Sequence, residues 1–376
     1  MYRKLVSLLL MAALVLVLLP GCDSGPAPTP TTPPPPPTRA PGDLAIESAT
    51  ELGVMQNPPS VRARDGGLSA FVGTKVLWIF GDTLFTKPNE QGINSISNSA
   101  AFAPLASPFA ITSTESATLD ATGAPMPLLP YNQEELDYNK AHGDKGDDRY
   151  ALWPTAVIRQ RDSSGLVVYS RLVIKPGNLN FTATGSGLAR VDREAKSTVA
   201  VRDPALLFEA PDPLFGQGAV VGGSHFYLYA CELAGPLDAR CKVARAPVET
   251  VGERAAYRFW DGKDWVEDIN KAAVVLRGPT SGLTVSWNPY LGSYLATYGG
   301  LVSTKVLMRT APAPEGPWSE PVEAFTGQPP SSMDWNYNAY EHPEIARDGG
   351  KTLYVTYYRP IAPSEGELRI VEVKLK

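Results

Sequence analysis

One recurring pattern constrains this chain more than any other feature. An apolar or aromatic strand, a turn and a second strand recur five times, three of the copies with a third strand. The copies are Leu68–Val72 with Val76–Phe80, Ala156–Ile158 with Leu166–Tyr169, and Ala219–Val220 with His225–Ala230 and Lys242–Arg245. The last two are Thr284–Ser286 with Tyr294–Tyr298 and Val306–Arg309, and Glu344–Ile345 with Leu353–Tyr357 and Leu368–Val373. Apolar runs bounded by Gly-, Asn- or Asp-containing turns are strand and hairpin signals.

Five units in residues 43–376 give about 67 residues each. A small sheet cannot bury both faces alone, so repeated sheets stack radially, and this period suits five blades. The expected fold is all-β, a five-bladed β-propeller over 43–376, with a β-sandwich as the alternative. Either the last strand, Glu367–Leu375, or an N-terminal strand near Leu44–Ile46 is expected to close the ring. With 43% hydrophobic and 19% charged residues the chain is not disordered, and a formal net charge of -5 argues against a nucleic-acid partner.

The front end has its own chemistry. Arg3 and Lys4 precede an apolar run from Leu5 to Leu19, then Pro20-Gly21-Cys22. A basic start, a short apolar core and small residues read as a secretory signal, too short for a membrane span of about 20 residues. The ending resembles a bacterial lipobox, which implies a signal peptide over 1–21 and acylation of Cys22; an ordinary signal followed by a free Cys22 thiol is the other reading. Loss of Arg3 and Lys4 leaves 32 basic residues of the 34 against 39 acidic, a formal -7. Anchoring therefore has to come from acyl chains, not from an anionic surface. Residues 22–42 form a linker with nine prolines, an extended stalk reaching on the order of 60 Å. The expected location is the bacterial cell envelope, lipid-anchored, on the periplasmic or cell-surface side. Export also suits a disulfide between Cys231 and Cys241 across a Gly-Pro turn, the alternative being two buried thiols.

The absences are informative. There is no G-x-S-x-G, P-loop, C-x-x-C or H-E-x-x-H pattern, and only three histidines. No cofactor or metal is expected, although oxygen ligands for a calcium ion in a propeller channel would leave no fixed spacing to read. Carboxylates stand out instead. Asp65 opens the first hairpin and Asp82 ends it, after the apolar run Val76–Phe80. If Val72 faces Lys75 the two face each other; if Gly73 faces Val76 they are diagonal; if Val72 faces Val76 they fall on opposite faces. Opposed residues have Cβ atoms about 4.5–5.5 Å apart, and two carboxylates that close repel until one keeps its proton. That asymmetry is what a glycosidase needs, and the carboxyl separation sets its stereochemical course. Asp-Gly-Gly is also an ordinary turn, and Asp348-Gly349-Gly350 repeats it.

Aromatic and polar clusters recur at comparable places: Trp153; Trp287, Asn288 and Tyr290; Tyr340, His342 and Glu344. Such groups suit sugar rings, which stack on aromatic faces and hydrogen-bond through hydroxyls, and they equally suit blade packing. A shared position in each unit is expected to gather them on one propeller face.

Two resemblances follow from these residues. Arg309 to Ser319 is similar to a strand-end segment of five-bladed arabinanase and xylosidase propellers. Arg64-Asp-Gly-Gly67, Trp78-Ile-Phe-Gly-Asp-Thr83, Trp287-Asn-Pro-Tyr290 and His342-Pro343-Glu344 together resemble a bacterial family, domain of unknown function 4185, associated with endo-D-arabinanases as glycoside hydrolase family 183. The resemblance spans most of residues 45–376. It implies a five-bladed propeller acting on arabinofuranose polymers, with Asp65 and Asp82 as the catalytic pair. The charged stretch Asp137–Asp148 reads as an inserted loop that could reshape the cleft. The expectation is a monomeric glycoside hydrolase; a non-catalytic glycan-binding propeller and a scaffold lipoprotein are the rivals.

Overall fold

The computed structural model describes residues 44–142, 148–177, 180–235, 238–278, 281–300 and 302–376. The leader, Cys22 and the Pro-rich stretch lie outside the described residues. Five sheets follow one another around a ring, and the inner strand of each touches the inner strand of the next, the fifth touching the first. These inner strands are Val61–Val72, Arg149–Arg159, Gly218–Gly222, Ser281–Asn288 and Tyr337–Glu341. The fold is a five-bladed β-propeller.

The unbroken apolar runs have a simple cause: a blade is buried on both faces. In the second strand of blade one, Lys75–Phe85, Leu77 and Ile79 pack towards blade two with Leu152, Val157, Val167 and Tyr169. Val76, Trp78 and Phe80 point the other way, against Tyr354, Tyr358, Leu368 and Ile370 of blade five. The same two-residue alternation fills the seams between blades two and three, three and four, and four and five. Each large side chain so buried contributes roughly 1.5–3 kcal/mol. The ring is thus held by five apolar seams.

Closure combines both expected strands. Ile46–Val54 pairs antiparallel with Glu365–Leu375 on the outer edge of blade five, from Ile46 opposite Leu375 to Val54 opposite Arg369. The first and last described strands therefore complete one blade. In blade three, Cys231 and Cys241 face each other across neighbouring strands and are joined by a disulfide.

Two local expectations are corrected. Glu344 and Ile345 are not a strand: the inner strand of blade five is Tyr337–Glu341, and Pro343–Ile345 is a single 3-10 turn. Pro343 has no N–H for a ladder, and the Ile345 N–H turns back to the His342 carbonyl at 3.2 Å. The charged stretch before blade two is partly helical, Gln133–His142. Asn132 and Glu135 cap it reciprocally, each side chain accepting the other's backbone N–H at 2.9–3.0 Å. Glu135 is fully buried and takes both guanidinium prongs of Arg202 at 2.6 and 2.9 Å. A polar helix with no apolar stripe is held here by its cap, one ion pair, and two hydrogen bonds between Asn139 and the Tyr150 backbone at 3.2 and 2.6 Å. Among the described residues no helix is long and apolar enough to cross a membrane.

Candidate active site

The site starts from the register of one hairpin. Val72 faces Lys75 at its two-residue turn, the register that sets Asp65 against Asp82. The ladder is then interrupted twice. Gly67 is skipped between the Leu68–Ile79 and Gly66–Phe80 pairs, and Asp65 stands opposite both Gly81 and Asp82 before Arg64 pairs with Thr83. The two bulges cancel, and they re-aim the acidic side chains where they fall. Gly66 and Gly67 adopt φ of 83° and 88°, and a Cβ on Gly66 would stand 2.8 Å from the Gly81 nitrogen. Only glycine permits this approach.

Asp65 and Asp82 come together in this gap, both half-buried. Asp65 accepts the backbone N–H of Asp82 and the Tyr337 hydroxyl, the latter at 3.2 Å. Burial, then the neighbouring Asp82 charge, push Asp65 up to about 8. Burial also raises Asp82, while the indole N–H of Trp153, at 3.1 Å, and the positive charge of Arg149 pull it back. The pair thus has unequal surroundings: Asp65 backed by tyrosine and a carboxylate, Asp82 by an indole donor and a cation. One carboxyl that holds its proton beside one that gives it up can move protons both ways at a bond between them.

Three blades supply the neighbours of the pair. Blade one supplies the aspartates; blade two supplies Trp153, Arg149 and the half-exposed Phe181, edge-on to Trp153 with ring centres 4.9 Å apart. Blade five supplies Tyr337, packed on Tyr358 at 4.8 Å, and the buried Tyr340, whose hydroxyl donates to Asn338 at 3.3 Å. Burial raises Tyr337, Tyr340 and Tyr358, and the Asp65 charge adds to each, so all three remain neutral phenols. Tyr337 and Phe181 were missed in the sequence. Tyr337 sits three residues before Tyr340, where the cluster that drew attention begins, whereas Phe181 carries no local signal.

The remaining candidates lie elsewhere. Four residues beyond Asp65, Trp153 and Tyr337 along their strands stand Ser69, Val157 and Glu341, and these line cavities at the opposite end of the ring. The larger, about 360 Å³, is bounded by Ser69, Phe71, Val157, Arg159 and Glu344. The smaller, about 190 Å³, is bounded by Trp287, Asn288, Glu341 and Gly350. Trp287 is 48% exposed there, edge-on to Tyr294. Asn288 is buried, donating to the Gly350 carbonyl and accepting from the Leu291 N–H, both at 2.9 Å; Tyr290 donates to the Lys376 carbonyl at 2.7 Å. His342 is fully buried between Ser69 and Thr356. The aromatic and polar clusters therefore divide between the two faces, because Trp153 stands midway along its inner strand and Trp287 at the end of its own. Among the described residues, no group of three His, Cys, Asp or Glu side chains is placed to hold a metal ion.

The profile of the family described as "Domain of unknown function (DUF4185)" matches residues 45–359. The chain belongs to the DUF4185 family. The match covers both aspartates, Trp153 and Tyr337 and reaches into all five blades, stopping short of the last strand, Glu365–Leu375. No curated protein matches this DUF4185 chain significantly. Among solved structures it is similar to a Bacteroides ovatus ATCC 8483 protein carrying a provisional hydrolase assignment, with 15% identity and a TM-score of 0.59 over 85% of this chain and 87% of the other. It is also similar to a GH43_1 enzyme from Xanthomonas citri complexed with xylotriose, at 12% identity, TM-score 0.49, and 86% and 89% coverage. A third is a GH43 beta-xylosidase/alpha-arabinofuranosidase from a compost microbial metagenome, at 12%, TM-score 0.49, and 87% and 95%.

Proposed function

We propose that this DUF4185 protein is an exported, lipid-anchored glycoside hydrolase that cleaves furanosidic linkages in a D-arabinan-like polysaccharide. The observation that supports the reading is the juxtaposition of Asp65 and Asp82 in a double bulge, with unequal electrostatic surroundings. Asp65 is the general acid: burial and its carboxylate neighbour keep it protonated near neutral pH, ready to protonate the leaving oxygen. Asp82, which burial raises but the Trp153 indole and the Arg149 charge pull back towards the anion, is the base or nucleophile. Trp153 and Phe181 offer aromatic surface to a sugar ring, and the Tyr337 hydroxyl orients Asp65.

The D-arabinan preference comes from the resemblance of the Asp65–Asp82 segment to endo-D-arabinanases, and the anchor from the leader ending at Cys22. Acylated Cys22 and the Pro-rich stalk would hold the propeller off a membrane while a polymer chain crosses its face. The test is incubation of the chain with a panel of arabinans and related furanose polymers, reading released reducing ends. Release from a D-arabinan supports the proposal, and no release from any furanose polymer removes it.

A further inference from the structure

A line of buried hydrogen bonds runs from the far cavity to the bulge under Asp65. Ser69 Oγ bonds Glu344 and lies 2.6 Å from His342 Nδ1; His342 Nε2 lies 2.9 Å from Thr356 Oγ1, which lies 3.3 Å from the Gly67 carbonyl. His342 and Thr356 are fully buried, Ser69 is 8% exposed, and the His342 ring packs on Trp78 with centres 4.6 Å apart. Gly67 is the skipped residue of the first bulge, two positions from Asp65.

We infer that Ser69, His342 and Thr356 position Asp65 through the Gly67 bulge, and that protonation of Glu344 reverses the direction of their hydrogen bonds. The inference deepens the proposed function by naming what regulates the same acid.

The direction follows from counting protons. Burial holds His342 neutral, with its own affinity pushed down to about 3, so its ring carries one N–H. When Glu344 is ionised it only accepts; Ser69 donates to it and accepts from His342 Nδ1–H. Nε2 is then bare and takes the Thr356 hydroxyl proton, leaving the Gly67 carbonyl without that donor. When Glu344 takes up one proton it donates to Ser69, and Ser69 donates to Nδ1. The ring's single proton, exchanged to Nε2, then faces Thr356, whose hydroxyl is freed to donate to Gly67. Burial raises Glu344 to about 7, so the reversal falls near neutral pH. The charged groups around Glu344 are Glu341, on the same blade and itself raised to about 8 by burial, and Arg159, across the cavity from blade two.

The test is nitrogen-15 NMR of the histidine-labelled full chain, whose three histidines keep the spectrum sparse, from about pH 5 to pH 9. The expected result is a change of His342 tautomer, Nε2–H at low pH and Nδ1–H at high pH, that disappears in Glu344→Gln. In Thr356→Val the tautomer change should persist while, in a second sample labelled with carbon-13 aspartate, the Asp65 carboxyl carbon titrates at a different pH, and Thr356→Ser should restore the wild-type titration. One tautomer throughout, or an unaltered change in Glu344→Gln, overturns the control by Glu344. An Asp65 titration identical in Thr356→Val overturns the positioning. These readouts need no turnover, so a chain that cleaves no arabinan would sink the glycosidase proposal and leave this one standing. Where an arabinan is cleaved, Thr356→Val should lower kcat several-fold with KM unchanged.

Discussion

Tyr337 and Asp65 meet across the seam that closes the ring, phenol donating to carboxylate at 3.2 Å. One comes from the inner strand of blade five and the other from that of blade one. Blade five is completed by the first described strand, Ile46–Val54, so the acid's partner stands on the sheet that joins the first and last described strands. Site geometry and ring closure are consequently coupled.

Replacing Trp153 by Phe keeps an aromatic wall and removes the N–H that Asp82 accepts. A hydrogen bond to a charged group contributes about 1.5–3 kcal/mol, which corresponds to about one to two pKa units. Asp82 should hold its proton to higher pH. In a pH–rate profile the rising limb should move up by about one to two units, with the falling limb in place.

The stability of the domain should depend on pH through Asp65. Its folded-state value, about 8, lies above the ordinary 3.8. The associated stability is therefore fully present below about 3.8 and is lost as pH rises through 8. The slope is at most about 1.4 kcal/mol per pH unit for one group. Asp65→Asn should unfold at higher urea than the wild type, by a margin that widens from pH 5 to pH 8. Glu341 and Glu344, raised by burial, act in the same direction and leave the variant a residual slope.

Arg202 and Glu135 make the most buried ion pair among the described residues. Removing one partner leaves the other charge buried, at a cost of about 3–5 kcal/mol. Arg202→Ala should lose about that much in chemical denaturation. The double variant Arg202→Met with Glu135→Leu should recover part of it, short of the wild type because Glu135→Leu also gives up the bond to the Asn132 N–H.

The Cys231–Cys241 disulfide closes a short loop in blade three. Cys231→Ser with Cys241→Ser should lower stability by about 2–3 kcal/mol and leave any hydrolysis unchanged, since blade three supplies none of the walls around Asp65. Paired melts of the two proteins check this.

Blade number and strand positions were legible because every blade is buried on both faces, which writes apolar runs such as Val76–Phe80 into the chain. The pairing of Asp65 with Asp82 was only half legible. The turn at Gly73-Thr74 allowed three registers, and the bulges at Gly67 and Gly81-Asp82 depend on backbone geometry that Gly66 and Gly67 permit without announcing. Trp287 shows the limit of composition. Its letter matches that of Trp153, but the position of each residue along its inner strand, not its chemistry, puts it at the other end of the ring. The helix at Gln133–His142 escaped notice because it has no apolar stripe; it rests on the Asn132–Glu135 cap, on Arg202 and on the bonds of Asn139 to the Tyr150 backbone.

The most direct measurement compares the wild type with Asp65→Asn and Asp82→Asn on a D-arabinan, counting reducing ends while circular dichroism and urea melts follow the fold. The expected result is cleavage by the wild type and a loss of at least about a hundredfold in each folded variant. Full activity in either variant would contradict the assignment of chemistry to this pair.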